Sequence, residues 1–274
     1  MNVLSIDLES WLHKYFLECN SAEKKKKDNR YICESTELTL KILKKYNVKT
    51  TFFVVSEIYS WYPRLIDKIR KEGHEIGFQS HTHRILSSIK ILKKELKAGK
   101  EFLEEFGPYG FRAPQGHMKE EYLPIIKDWG FIYDSSIYAP FKINEPIKGL
   151  FEVPVSTYPR FKPKKPLSYP RDLTLSLMLK EAPFGSGYYI GLWGKNVQRY
   201  IRKVNKLNIP ASLIIHSWQI LKIPKNDVKG IKLNKSLSLS LKMRPYEINR
   251  RAAFETLLAN NDFTTMIEII NKFK

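Results

Sequence analysis

The chain opens on an apolar run that closes on an acid, NVLSID (2–7), and the same device recurs along its length. TTFFVVS (50–56) is β-branched and aromatic and reads as a buried strand. HEIGFQS (74–80), YGFRAP (109–114), FIYDSS (131–136) and ASLIIHSWQI (211–220) each run from apolar residues into a polar loop. Between them, apolar residues recur at helical spacing in STELTLKILKKYN (35–47), YPRLIDKIRKEG (62–73), ILSSIKILKKELKAGKEFLEEFG (85–107), YLPIIKDWG (122–130) and VQRYIRKVNKL (197–207). The lysine-rich SAEKKKKDNR (21–30) is expected to be a loop, and 141–190 an irregular stretch of loops and extended chain. KLNKSLSLSLKM (232–243) reads as a linker, RRAAFETLLANN (250–261) as a late helix, and FTTMIEIINKFK (263–274) as a last short element.

Strand–helix alternation of this kind predicts parallel strands covered by helices, either closed into a barrel or laid out as an open sheet. We expect one domain over 1–274, with a core over about 1–220 and a helical extension over about 221–274. In such folds chemistry collects where strands end. Asp7, Gln79, Arg112, Asp134 and His216 all stand at such ends.

Composition narrows the classes. At 274 residues and 43% hydrophobic the chain is globular and large enough for a sizeable core. Its two cysteines, Cys19 and Cys33, lack Cys-x-x-Cys spacing, and such sparse usage points to a reducing compartment. The first residues carry no basic, leader-like segment and no apolar run approaches the roughly 18 residues of a membrane span, so the expectation is a cytoplasmic protein, peripheral at most at the inner membrane face. The 47 Lys and Arg against 28 Asp and Glu, a net charge of +19, attract polyanions: anionic lipid, phosphorylated substrate or nucleic acid. No zinc-finger spacing or RNA-recognition signature accompanies the charge, which sets nucleic acid aside.

GHEIGFQSHTHRIL (73–86) is dense in imidazole, with His81 and His83 one residue apart. Taken in order, SIDLESWLH, TFFVV, GHEIGFQSHTH, FRAPQG, YDSSIY and LIIHSWQI resemble the motifs of the polysaccharide deacetylases of carbohydrate esterase family 4, over residues 3 to about 220. The resemblance implies a distorted (β/α) barrel with fewer than eight strands. It also implies hydrolysis of an N-acetyl group from an amino sugar with one divalent metal, zinc or similar. By the same resemblance Asp7 matches the general base, His216 the general acid, Arg112 the arginine that orients the base, and Asp134 the acid of the fourth motif. Glu9 matches a metal-binding acid and His83 a ligand histidine. Gln79 stands where the family has its other ligand histidine, and His81 lies between, so either is a candidate third ligand and the metal is expected to be weakly bound or absent. Pro114, Trp11 and Trp218 are the candidate substrate contacts, Trp218 as a face for a sugar ring. His13 and His117 lie in polar loops open to substrate or to solvent, with solvent the favoured expectation, whereas His74 is expected to be structural.

The substrate expected from the charge is a glycan or glycolipid on a phosphate-bearing or lipid carrier, with an anionic membrane surface as a further partner. Two rival readings stand beside it. One is a metal-independent amide or cyclic-imide hydrolase of the same fold, to which Gln79 is suited. The other is a non-catalytic binding relative.

Overall fold

The computed structural model describes residues 1–15, 19–142, 147–160, 169–223, 245 and 248–273. The expected linker at 232–243 lies outside them. Strands β1 (Asn2–Leu8), β2 (Thr51–Val54), β3 (Glu75–Phe78), β4 (Gly110–Phe111) and β5 (Tyr133–Asp134) form where the apolar runs predict them. With β7 (Phe151–Glu152) and β11 (Ser212–His216) they make a parallel sheet in the order β11-β1-β2-β3-β4-β5-β7. That seven-stranded path, covered by helices, is the expected distorted barrel. β1 is buried along its whole length, as the central strand of such a sheet must be.

Among the described residues the path does not close strand to strand. Between its ends lie β6 (Tyr138–Ala139), paired with β8 (Val155–Ser156), and β9 (Tyr158–Pro159), paired with β10 (Glu181–Ala182). Gly185 bridges the gap: its N–H donates to Ser156 O at 2.9 Å and its carbonyl accepts from Ile214 N at 2.7 Å. A Cβ here would stand 2.2 Å from Ser212 O and 2.7 Å from Ser156 N. Gly185→Ala should therefore lower stability by about 1–3 kcal/mol through forced displacement of β8 from β11. A urea midpoint equal to that of the unmutated protein would show that the seam yields without cost.

The helices fall largely at the expected sites: α3 (Tyr31–Lys45), α5 (Pro63–Lys71), α8 (Leu123–Asp128) and α11 (Gln198–Asn205). The single helix expected over 85–107 is two, α6 (Ile89–Ala98) and α7 (Lys100–Phe106), divided at Gly99. A Cβ on Gly99 would lie 2.7 Å from the Phe78 ring, so glycine lets the junction sit directly on β3. The irregular stretch contains two short helices, α9 (Leu175–Lys180) and α10 (Gly187–Trp193).

The lysine tract departs most from expectation. It forms helix α2 (Ser21–Asp28) following the short α1 (Leu12–Tyr15), and α4 (Glu57–Trp61) packs nearby. Asn20 Oδ1 accepts from Glu23 N and Glu23 answers to Asn20 N, a capping box that starts the helix. At the other end of the chain, α12 (Arg251–Ala259), β12 (Phe263–Thr264) and α13 (Met266–Phe273) complete the order. β12 pairs with the first residues of β1, and Met266, Ile269 and Ile270 pack with Val3, Phe53 and Tyr133. Among the described residues no helix is long and apolar enough to cross a membrane.

Candidate active site

The parallel register puts Asp7 beside His216 across β1–β11 and beside Phe53 across β1–β2. Arg112, one residue past β4, reaches under the sheet end to Asp7. Its Nη1 donates to Asp7 Oδ1 at 2.5 Å and to Ser5 Oγ at 2.9 Å, while Nε and Nη2 donate to Ser135 O and Ser135 Oγ, each at 2.8 Å. The guanidinium lies 3.9 Å over the Phe53 ring. Both charges are buried, so the pair is held by geometry on every side.

Asp7's other oxygen, Oδ2, accepts from Gln79 Nε2 at 3.2 Å and lies 3.9 Å from His216 Nε2. Glu9 occupies the space between two imidazoles. Its Oε2 pairs with His83 Nε2, and its Oε1 stands 3.2 Å from His216 Nε2. Asp7, Glu9, Gln79, His83, Arg112 and His216 thus form one buried cluster at the strand ends.

The orientation of His216 follows from its neighbours. Gln219 Nε2 donates to Gly187 O at 2.9 Å, which turns the amide oxygen toward His216, 3.1 Å from Nδ1. The His216 side chain also accepts from the Gln219 backbone N–H, which fixes the ring with Nε2 facing Glu9. Trp218 is buried and stacked on the imidazole at 4.6 Å, with ring planes 10° apart. It packs with the equally buried Trp11 in a small cluster, so both tryptophans back the site and neither offers an open face to a sugar.

Asp134 sits one layer behind. Its carboxylate accepts from Ser136 Oγ at 2.6 Å, and Ser136 Oγ accepts from Ala113 N at 2.8 Å, which fixes the loop carrying Arg112 and the buried Pro114. Asp134 faces Glu152 across β5–β7. Burial pushes Asp134 up to about 6 and Glu152 well above its ordinary value, the adjacent Asp134 charge adding to the rise.

His81 is turned elsewhere: its Nδ1 pairs with Ser56 Oγ at 2.9 Å, and its backbone N–H donates to Glu95. Among the described residues no three His, Cys, Asp or Glu side chains are arranged as a metal cluster. The donors available beside Glu9 and His83 are two buried atoms without a hydrogen-bond partner, Gln79 Oε1 and His83 Nδ1. One carboxylate, one imidazole and one carboxamide oxygen fit a hard divalent ion held loosely.

Sequence reasoning missed a second buried polar cluster beside this one. His13, expected in solvent, is fully buried and stacked on Trp61 at 5.3 Å. Its Nδ1 accepts from Ser10 N at 3.0 Å, so its proton is on Nε2, 3.0 Å from Glu57 Oε2. Lys24 Nζ donates to the same oxygen at 2.8 Å. Burial alone would push the Glu57 carboxyl up, but the bonds from His13 and Lys24 outweigh it and hold it down at about 2. The backbone N–H groups of Ser56 and Glu57 donate to Ser80 O and His81 O. Glu57 therefore ties the loop after Glu9 to the loop that carries Gln79 and His83. The Asn20…Glu23 capping signal was the one clue in the sequence that Lys24 lies on a helix. His117 pairs with Asp172 at 2.9 Å, and His74 accepts from Thr50 N as a structural histidine.

Known proteins resemble this chain in its fold and over part of its sequence. Over 98% of this chain and 88% of the other, the fold matches a putative polysaccharide deacetylase from Mycobacterium smegmatis, with a TM-score of 0.58 at 19% identity. Residues 28–133 match the family model for polysaccharide deacetylase. The chain is 32% identical over 126 residues to an uncharacterised 30.6 kDa protein of Geobacillus stearothermophilus, covering 43% of this chain and 48% of that one. It is 31% identical over 100 residues to a peptidoglycan-N-acetylglucosamine deacetylase of Bacillus cereus, covering 35% of this chain and 47% of that one. The matched stretch thus spans about half the length of these curated relatives.

Proposed function

We propose that this protein hydrolyses the N-acetyl group of an amino sugar. The observation that carries the reading is the cluster in which Asp7, clamped by Arg112, and His216, with Nε2 facing Glu9, share one buried strand-end site. Water adds to the amide carbonyl as Asp7 takes its proton. His216 then delivers a proton to the nitrogen, the C–N bond breaks, and acetate and a free amine leave. Glu9 and His83, with the Gln79 carbonyl oxygen, would hold a divalent ion, which when bound polarises the carbonyl and lowers the pKa of water. Incubation with chitooligosaccharides and with peptidoglycan fragments, with acetate release measured, tests the reading. No acetate from either, with and without added divalent ions, would overturn it.

The net charge of +19 supports a substrate on a phosphate-bearing or lipid-linked carrier. A second reading, amide or cyclic-imide hydrolysis without metal, is favoured by the bond from Gln79 to Asp7, which keeps the base oriented with no ion present. Activity on a cyclic imide that survives chelation would establish it.

Gln79→His should tighten divalent metal binding by about tenfold or more, the ~1.4 kcal/mol of one improved contact. Calorimetric titration with zinc reads this directly. Tight stoichiometric zinc binding by the unmutated protein, unchanged in Gln79→His, would assign the ligand set elsewhere.

A further inference from the structure

One face beside the cleft carries the two most exposed leucines among the described residues. Helix α9 is stitched to the site's rim by Leu177 on its inner side and by Leu173 just before its start, both packed on Tyr138, Val155 and Ile214. Its outer side carries Leu175 and Leu179, one turn apart and 70% and 66% exposed. Single exposed leucines are ordinary, but two on one short turn, with Met178 half-buried between them, form a patch.

The surroundings of the patch are basic and aromatic. Lys180 closes the helix, and its carbonyl accepts from Arg160 N at 3.0 Å across the β9–β10 pair. Lys203 Nζ lies 5.2 Å over the Tyr158 ring and 5.6 Å over the Tyr200 ring. Arg160, Lys180 and Lys203 are all exposed. Glu181, the acid between them in space, is buried and paired with Arg171. From Tyr200 the aromatic row continues through Tyr189 at 6.1 Å to the half-exposed Trp193, a further 5.8 Å on.

Leucines standing out of a ring of cations and amphipathic aromatics are what an anionic bilayer surface selects. The leucines enter the acyl boundary, the half-exposed Tyr158, Tyr200 and Trp193 sit at headgroup depth, and the cations meet lipid phosphates. We propose that the α9 face, with Arg160, Lys180 and Lys203, docks this protein on an anionic lipid surface with the cleft beside the bilayer. The proposal is independent of which amide the site cleaves.

Co-sedimentation with vesicles of phosphatidylcholine alone and with added phosphatidylglycerol tests it, using the whole chain. The unmutated protein should partition onto the anionic vesicles only and come off as salt is raised. Leu175→Ser/Leu179→Ser and Arg160→Gln/Lys203→Gln should each reduce partition by at least about tenfold, with the thermal midpoint unchanged because all four side chains are exposed. Partition of the leucine variant equal to the unmutated protein would reduce the interaction to diffuse charge and overturn the proposal. So would either of two other patterns that the leucine pair controls in the absence of vesicle binding. One is a dimer, and the other is retention on insoluble peptidoglycan.

Discussion

Asp7→Asn and His216→Ala each lower acetate release by about 10²–10⁴-fold, the scale of a general base or acid contribution. Asparagine at 7 keeps an oxygen for Arg112 to donate to, so the site stays assembled, yet the amide cannot accept the proton from water. At 216 the loss is different in kind. Gln219 and Glu9 fix the imidazole from its two sides, and alanine removes the ring that would give the proton while leaving Trp218 without its stacking partner. The two variants should also fail together: a double variant is expected to be little worse than either alone, because base and acid act on one intermediate. Full turnover in either single variant would reassign the chemistry to other groups.

Arg112→Met costs about 3–5 kcal/mol of stability, the penalty for leaving one member of a buried ion pair uncompensated. Methionine fills much of the volume over Phe53 but strands the buried Asp7 carboxylate, and Ser5 Oγ and Ser135 lose their donor. Adding Asp7→Asn to this variant should recover part of the loss, since the stranded charge is then gone. Urea unfolding of the four proteins measures the coupling. A single-variant loss below about 1 kcal/mol would mean that water already screens the pair.

The sheet and its order of motifs were legible because buried parallel strands are written as short apolar runs, and because each run ends on the polar residue it presents. Asp7, Arg112 and His216 could be placed at one end of one sheet for that reason alone. Other features were hidden because they depend on contacts between distant segments. SAEKKKKD looks like solvated loop until Glu57, some thirty residues later, supplies the partner that lets Lys24 be buried. His13 reads as polar loop until Trp61 covers it. Trp218 beside a candidate acid suggests a sugar platform, and only its stacking direction shows that it faces the imidazole from within the core. Gln79 and His81 differ by two residues in sequence, yet a backbone turn through Ser80, at φ +68°, sends one to Asp7 and the other to Ser56.

The Glu57 clamp divides the cleft mechanically. On its side the loops bearing Glu9, Gln79 and His83 are cross-tied through backbone and buried charge, so they resist opening and should exchange their amide hydrogens slowly. The opposite wall is built from two-residue strands and the six-residue α9, joined to the sheet through Gly185. That wall is the compliant one, and α9 meets Tyr138 on its inner side and the exterior on its outer side. A load on the outer leucines would therefore be felt first at the cleft's rim, while Glu9, Gln79 and His83 stay fixed on the rigid side.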